Sequence, residues 1–147
     1  MRLPVDNYVI TSGYGERILH GKKEFHDGID FKSKTDNKVV AVCNCVCSYD
    51  MDNYNEALRW VDRHHSGGNM IIIDFQLKNT LFHMRYLHLI ENIISAGQKL
   101  KEGDLIGHYG DVGYSFGAHL HNDLYMTTTG GWIKINIENF YKNCNLL

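Results

Sequence analysis

His119-Leu120-His121 sets two imidazoles two residues apart in a run that reads as a strand. Alternate residues of a strand share a face, so both rings project together, about 6 to 7 Å apart. Both could bind one metal, or one could bind it while the other faces a water on that metal, and the spacing admits either. A second constellation, His26-Asp27-Gly28-Ile29-Asp30, offers a nitrogen donor and a carboxylate around a glycine that lets the backbone turn tightly. A borderline-soft cation such as zinc accepts both donor types. Two imidazoles and one carboxylate leave a fourth tetrahedral position open, the pattern of a catalytic rather than a structural zinc site.

The cysteines offer a rival metal reading, with Cys43, Cys45 and Cys47 in one run and Cys144 far along the chain. Residues two apart in a strand point the same way, which disfavours bonding them to each other. They read as small apolar residues facing one layer of a sheet, with a soft-metal site or a redox pair with Cys144 as the alternative. His20, His64, His65, His83 and His108 read as packed or solvated residues. The adjacent His64 and His65 cannot face one side of a strand or helix.

These groups must be positioned by a sheet-rich fold, because turn residues recur at short intervals. Val39 to Cys47 alternates and is β-branched, predicting one strand. Residues 70–76 and 80–88 predict an antiparallel hairpin across Lys78-Asn79, and further strands are expected at 105–109, 119–125 and 132–135. The helical stretch runs from about Asn53, a capping residue followed three positions on by Glu56, to Arg63, and its Trp60 is expected to pack on the sheet, with walling a groove over the site as the alternative. After Asn136 a turn of helix and a continued strand through Ile133, Ile135 and Ile137 are both open.

A length of 147 residues predicts one domain over 1–147, and 44% apolar residues with a single proline exclude collagen-like or long disordered chains. The net charge of −2 supplies no basic excess for nucleic acid. The longest purely apolar run, Val39 to Cys43, is far short of the about 20 residues of a spanning helix. The first eight residues lack the apolar segment of a secretory signal.

Five ordered segments carry a resemblance: Thr11-Ser12-Gly13-Tyr14-Gly15-Glu16-Arg17, His26-Asp27-Gly28-Ile29-Asp30-Phe31, Tyr86-Leu87-His88-Leu89, Gly103-Asp104-Leu105-Ile106-Gly107 and Gly113-Tyr114-Ser115-Phe116-Gly117-Ala118-His119-Leu120-His121. Together they resemble the lysostaphin-type (LytM, M23) zinc peptidoglycan endopeptidases over nearly the whole chain. The resemblance implies a mainly β, antiparallel domain of the duplicated-hybrid-motif type with one or two short helices. It implies one Zn²⁺ held by His26, Asp30 and His121, with His88 and His119 as catalytic histidines that do not bind metal. One of that pair takes a proton from a zinc-activated water and the other, if able to donate, steadies the oxyanion, with His119 favoured as base.

The implied substrate is bacterial peptidoglycan. Wall polymers are anionic, so a charge of −2 gives no general capture and affinity must come from the groove. Lack of an export signal or anchor suits a phage lysis enzyme or a virion-borne wall-cutting domain, made in a host cytoplasm, and an excised fragment suits it too. A non-catalytic relative that binds or activates other wall hydrolases is the alternative; ligand loss would mark it, and all five polar positions are present. Zinc peptidases of related architecture space His and Asp differently ahead of a separate acidic base, which is not found here. Two departures flank the site: Asn122-Asp123 stands where Phe-Glu is usual, and Gly110-Asp111-Val112-Gly113 where Gly-x-Thr-Gly is usual.

Overall fold

The computed structural model describes residues 1–58 and 67–147. Trp60, His64, His65 and the second half of the expected helix lie outside them. Of that helix the described part shows only a single 3-10 turn, Glu56–Leu58. Asn55 Oδ1 accepts the Ala57 N–H and Asn69 Oδ1 accepts that of Tyr54. These side-chain bonds compete with helical ones at the start of the segment.

The described strands are β1 (Tyr8–Ser12), β2 (Gly15–Leu19), β3 (Lys22–His26), β4 (Ile29–Ser33), β5 (Lys38–Val40), β6 (Cys45–Met51), β7 (Asn69–Leu77), β8 (Thr80–Asn92), β9 (Lys99–Leu100), β10 (Leu105–Tyr109), β11 (Leu120–Thr128) and β12 (Gly131–Ile135), followed by helix α1 (Ile137–Asn143). The main sheet runs β1-β4-β11-β8-β7-β6-β9, with β12 on β11 and β10 joining β8 to β5. The pairings are antiparallel, and β2 with β3 forms a separate hairpin. The predicted hairpin is β7–β8, and Lys78 in its turn takes the left-handed conformation such two-residue turns require. The stretch expected as one strand from Val39 to Cys47 is two, β5 and β6. Between them Ala41 bonds the 103–104 turn through both its N–H and its carbonyl, which takes the chain out of the sheet.

Odd-numbered β11 residues face the site, and even-numbered ones face the core with Met84, Tyr86 and Phe31. α1 covers that core through Ile137 and Tyr141, and Asn136 caps it by accepting the Asn139 N–H at 3.0 Å, which resolves the C-terminal segment as helix. The first departure from the family pattern finds its reason here. Asn122 is fully buried, accepts the Tyr141 hydroxyl and donates to the Arg85 carbonyl at 2.8 Å, a polar tie a phenylalanine could not make. Cys45 and Cys47 face the same interior while Val46 between them faces out. Burial pushes the Cys43 thiol up to about 11 and that of Cys45 to about 12, so both stay protonated and unreactive at neutral pH.

Candidate metal centre

The sheet register builds the centre. Asp30 on β4 lies directly opposite His121 on β11, and His26 ends β3 beside them. His26 Nε2 stands 3.1 Å from Asp30 Oδ1 and 3.0 Å from His121 Nδ1, and His121 Nδ1 stands 3.0 Å from Asp30 Oδ1. Donors about 2.0 to 2.1 Å from a tetrahedral zinc lie about 3.3 Å from one another, so this triangle needs to open only slightly to close on the ion. The three donors, two imidazole and one carboxylate, fit zinc by chemistry and by spacing.

Each donor is oriented from behind. His26 Nδ1 donates to the Gly13 carbonyl at 2.7 Å, leaving the Nε2 lone pair toward the centre. Arg17 donates to Asp30 Oδ2 at 3.2 Å, which occupies the oxygen that does not face the two histidines. His121 Nε2 points at Asp123 Oδ2, 3.6 Å away, an ion-pair rather than a hydrogen-bond distance. Asp123 is itself fully buried and gripped by both arms of the Arg85 guanidinium and by Lys134, which also bonds Asp27. The second departure is also used: the Asp111 carboxylate accepts the Gly117 N–H, and Val112 offers a backbone carbonyl for which its side chain is immaterial.

His119 lies one residue before β11, tied to Gly110 by an isolated bridge, and not inside the strand as expected. Its Nδ1 donates to the Gly117 carbonyl at 2.8 Å, and its Nε2 comes within 3.5 Å of Asp30 Oδ1. His88 is the extra residue of a bulge in β8: Asn69 and Ile71, two apart on β7, face Leu89 and Tyr86, three apart on β8. It takes φ 63°, a strained conformation for a non-glycine residue, and the bulge brings its ring to 4.8 Å from that of His119. Its Nδ1 donates to the Val112 carbonyl at 2.7 Å. All five residues singled out by sequence therefore meet in one place. Arg17 and Asp123 carry orienting contacts that sequence reasoning did not assign, although both stand in or beside the quoted motifs.

Burial alone would raise the Asp30 carboxyl, but hydrogen bonds from His121 and His26 outweigh it and hold the group well below the usual carboxylate range. Burial alone would lower His121, but Asp123 and Asp30 outweigh it and raise the ring to about 9. Burial, with His119 and His121 nearby, lowers His88 to about 3, and burial also lowers His119. In the metal-free chain His121 is thus an imidazolium at pH 7, and a metal at Nδ1 must displace its proton. Zinc affinity is expected to climb close to tenfold per pH unit from pH 7 and to level off near pH 9. Competition titration against a chelator of known proton affinity checks this, and a flat profile would contradict it.

These residues open into a groove of about 770 Å³, walled on one side by Ile18 and Phe25 of the β2–β3 hairpin and on the other by Tyr114 and Phe116. His20 at the hairpin tip touches Phe116 across it, the ring centroids 4.3 Å apart.

Fold and site define a class, an antiparallel β-protein built around a three-donor metal centre with two further imidazoles beside it. The chain belongs to Peptidase family M23, which matches residues 24–133. It is 32% identical over 127 residues to the peptidoglycan DD-endopeptidase ShyA of Vibrio cholerae, covering 84% of this chain and 26% of that protein. The chain spans about a quarter of the length of the curated relatives it matches. Its fold is shared with the catalytic domain of lysostaphin from Staphylococcus simulans, with a TM-score of 0.70 at 24% identity over 93% of this chain and 94% of that one. A zinc-containing peptidase from Vibrio cholerae superposes with a TM-score of 0.67 at 27% identity, covering 90% of this chain and 38% of that one.

Proposed function

We propose that this chain is a zinc metalloendopeptidase that hydrolyses peptide cross-links or stem peptides of bacterial peptidoglycan, with one zinc held by His26 Nε2, Asp30 Oδ1 and His121 Nδ1. The observation that carries the reading is the donor triangle with two imidazoles beside it whose Nε2 atoms are not committed to backbone. ShyA's name and the family supply the substrate class.

Bound zinc supplies Lewis-acid polarisation and lowers the pKa of a water toward about 7. His119 Nε2, 3.5 Å from Asp30 Oδ1, takes the proton of the attacking water and returns it to the leaving amine. With Nδ1–H committed to Val112 and its proton affinity lowered by burial, His88 stays neutral and accepts at Nε2, orienting the water. Neutral rings bonded in this way cannot donate from Nε2. A histidine that steadies the oxyanion must first have taken a proton there. Arg17 and Asp123 fix the ligands, while the hairpin and the 114–117 loop hold an extended peptide over them.

The zinc-loaded chain is expected to release new amines from purified peptidoglycan, to stop when stripped by a chelator, and to recover with one equivalent of zinc. Mass analysis of the fragments identifies the bond. A sample that holds zinc yet releases no amine from walls of any cross-link type would overturn the hydrolytic reading in favour of a binding module.

A further inference from the structure

The face of the sheet that carries the metal centre also carries a flat aromatic plate that the hydrolytic chemistry does not use. The Trp132 indole stacks on His83, centroids 3.6 Å apart and planes within 15°. His83 is buried and pinned at both nitrogens, Nδ1 donating to Asp74 at 2.8 Å and Nε2 meeting the Thr127 hydroxyl at 2.6 Å. With one indole face covered by a ring that cannot turn, the 50% of Trp132 that is exposed presents the other face as a fixed apolar surface. Polar groups stand on the neighbouring strands: the Thr127 hydroxyl opposite Trp132 and, around His83, the Asp74 carboxylate with the Ser48 hydroxyl that donates to it. A flat π-face with hydrogen-bonding oxygens on the strands beside it is complementary to a pyranose ring, whose C–H face is apolar and whose equatorial hydroxyls and amides project from the edge.

Register gives the plate its place. His121, Asp123, Tyr125 and Thr127 succeed one another on one face of β11, with Tyr125 opposite His83 and Thr127 opposite Trp132. The His83 end of the plate therefore lies four residues along the strand from His121 and Trp132 lies six, about 13 and about 20 Å away at strand rise. Six residues of extended peptide reach at most about 22 Å. A wall polymer with its stem peptide at the metal centre can lay the sugar strand that bears it over Trp132, and the two surfaces are continuous on one sheet face.

We propose that Trp132, fixed by His83, seats the saccharide strand of peptidoglycan while the peptide lies at the metal centre; the proposal rests on the wall-hydrolase reading above. The test uses a peptide-free β-1,4-linked N-acetylglucosamine tetramer, titrated calorimetrically into the zinc-loaded chain and each variant, with the Trp132 indole N–H resonance locating the contact in the unaltered chain. Binding is expected, weakened about tenfold or more in Trp132→Leu, which keeps apolar cover over His83, and partly restored in Trp132→Tyr. On intact peptidoglycan Trp132→Leu is expected to lose about tenfold in kcat/KM, and on a sugar-free cross-linked peptide nothing. No binding of the tetramer by the unaltered chain, or an equal loss on sugar-free peptide, would overturn the proposal. Should the unaltered chain cut no peptide at all, the hydrolytic reading fails by itself, and the titration still decides the plate.

Discussion

His26→Ala, Asp30→Ala and His121→Ala are each expected to give a folded chain with no tightly held zinc and no hydrolysis, whereas His119→Ala and His88→Ala hold one zinc and lose about 10²- to 10⁴-fold in kcat. The division follows from the donor geometry. Three atoms lie within 3.1 Å of one another, and deleting any one leaves two donors for an ion that needs three from the protein. His119 Nε2 lies 3.5 Å from Asp30 Oδ1, and the His88 ring lies 4.8 Å from that of His119 and 6.1 Å from that of His121, beside the triangle rather than in it. Asp30→Ala leaves Arg17 bonded to Glu24 and Ser12, so the site loses a ligand without stranding a buried cation. Zinc per chain, measured by elemental analysis beside amine release, separates the two groups. A metal-free His119→Ala would show that this ring is a ligand and would reverse the assignment within the pair.

What could be read from sequence, and what could not, divides by the range of the interaction. Strands β7, β8 and β11 were legible because alternation is local, and so was the pair His119 and His121, since two residues along an extended chain return to one face. Which imidazole binds metal depends on His121 lying opposite Asp30, a pairing across 91 residues that no local pattern encodes. His88 shows the limit clearly. Tyr86-Leu87-His88-Leu89 reads as regular strand, which would put His88 on the core face with Tyr86, and only the bulge re-aims it at the centre. The β2–β3 hairpin gave no alternation to read because it lies off the main sheet, with half-buried and exposed residues except at His26. Asp123 was visible only as a departure from the family pattern. Its role depends on Arg85 and Lys134 arriving from two neighbouring strands.

Gly28→Ala is expected to cut zinc affinity and kcat/KM together by about ten- to a hundredfold while the chain stays folded, and the reason differs from the one its sequence context suggests. Between His26 and Asp30 a glycine reads as a device for a tight turn, yet Gly28 is not among the residues with positive φ. What it supplies is space. A Cβ there would lie 2.5 Å from His121 Cε1, 2.6 Å from His121 Nε2 and 2.7 Å from the Asn122 carbonyl oxygen. The carbonyl cannot withdraw, because Asn122 is paired with Ile29 on β4 and with Tyr86 on β8. The imidazole must therefore yield, which swings Nδ1 out of the donor triangle and Nε2 away from Asp123. Overpacking of this kind costs about 1 to 3 kcal/mol, and about 1.4 kcal/mol is a factor of ten in affinity. Gly28→Asn separates the two explanations, since asparagine tolerates left-handed backbone but is larger than alanine: it is expected to be at least as damaging. Gly130→Ala, where the nearest atom to a new Cβ is 3.9 Å away, is expected to change neither quantity. Full zinc affinity in Gly28→Ala, measured by chelator competition, would show that the space beside His121 is not what this position provides.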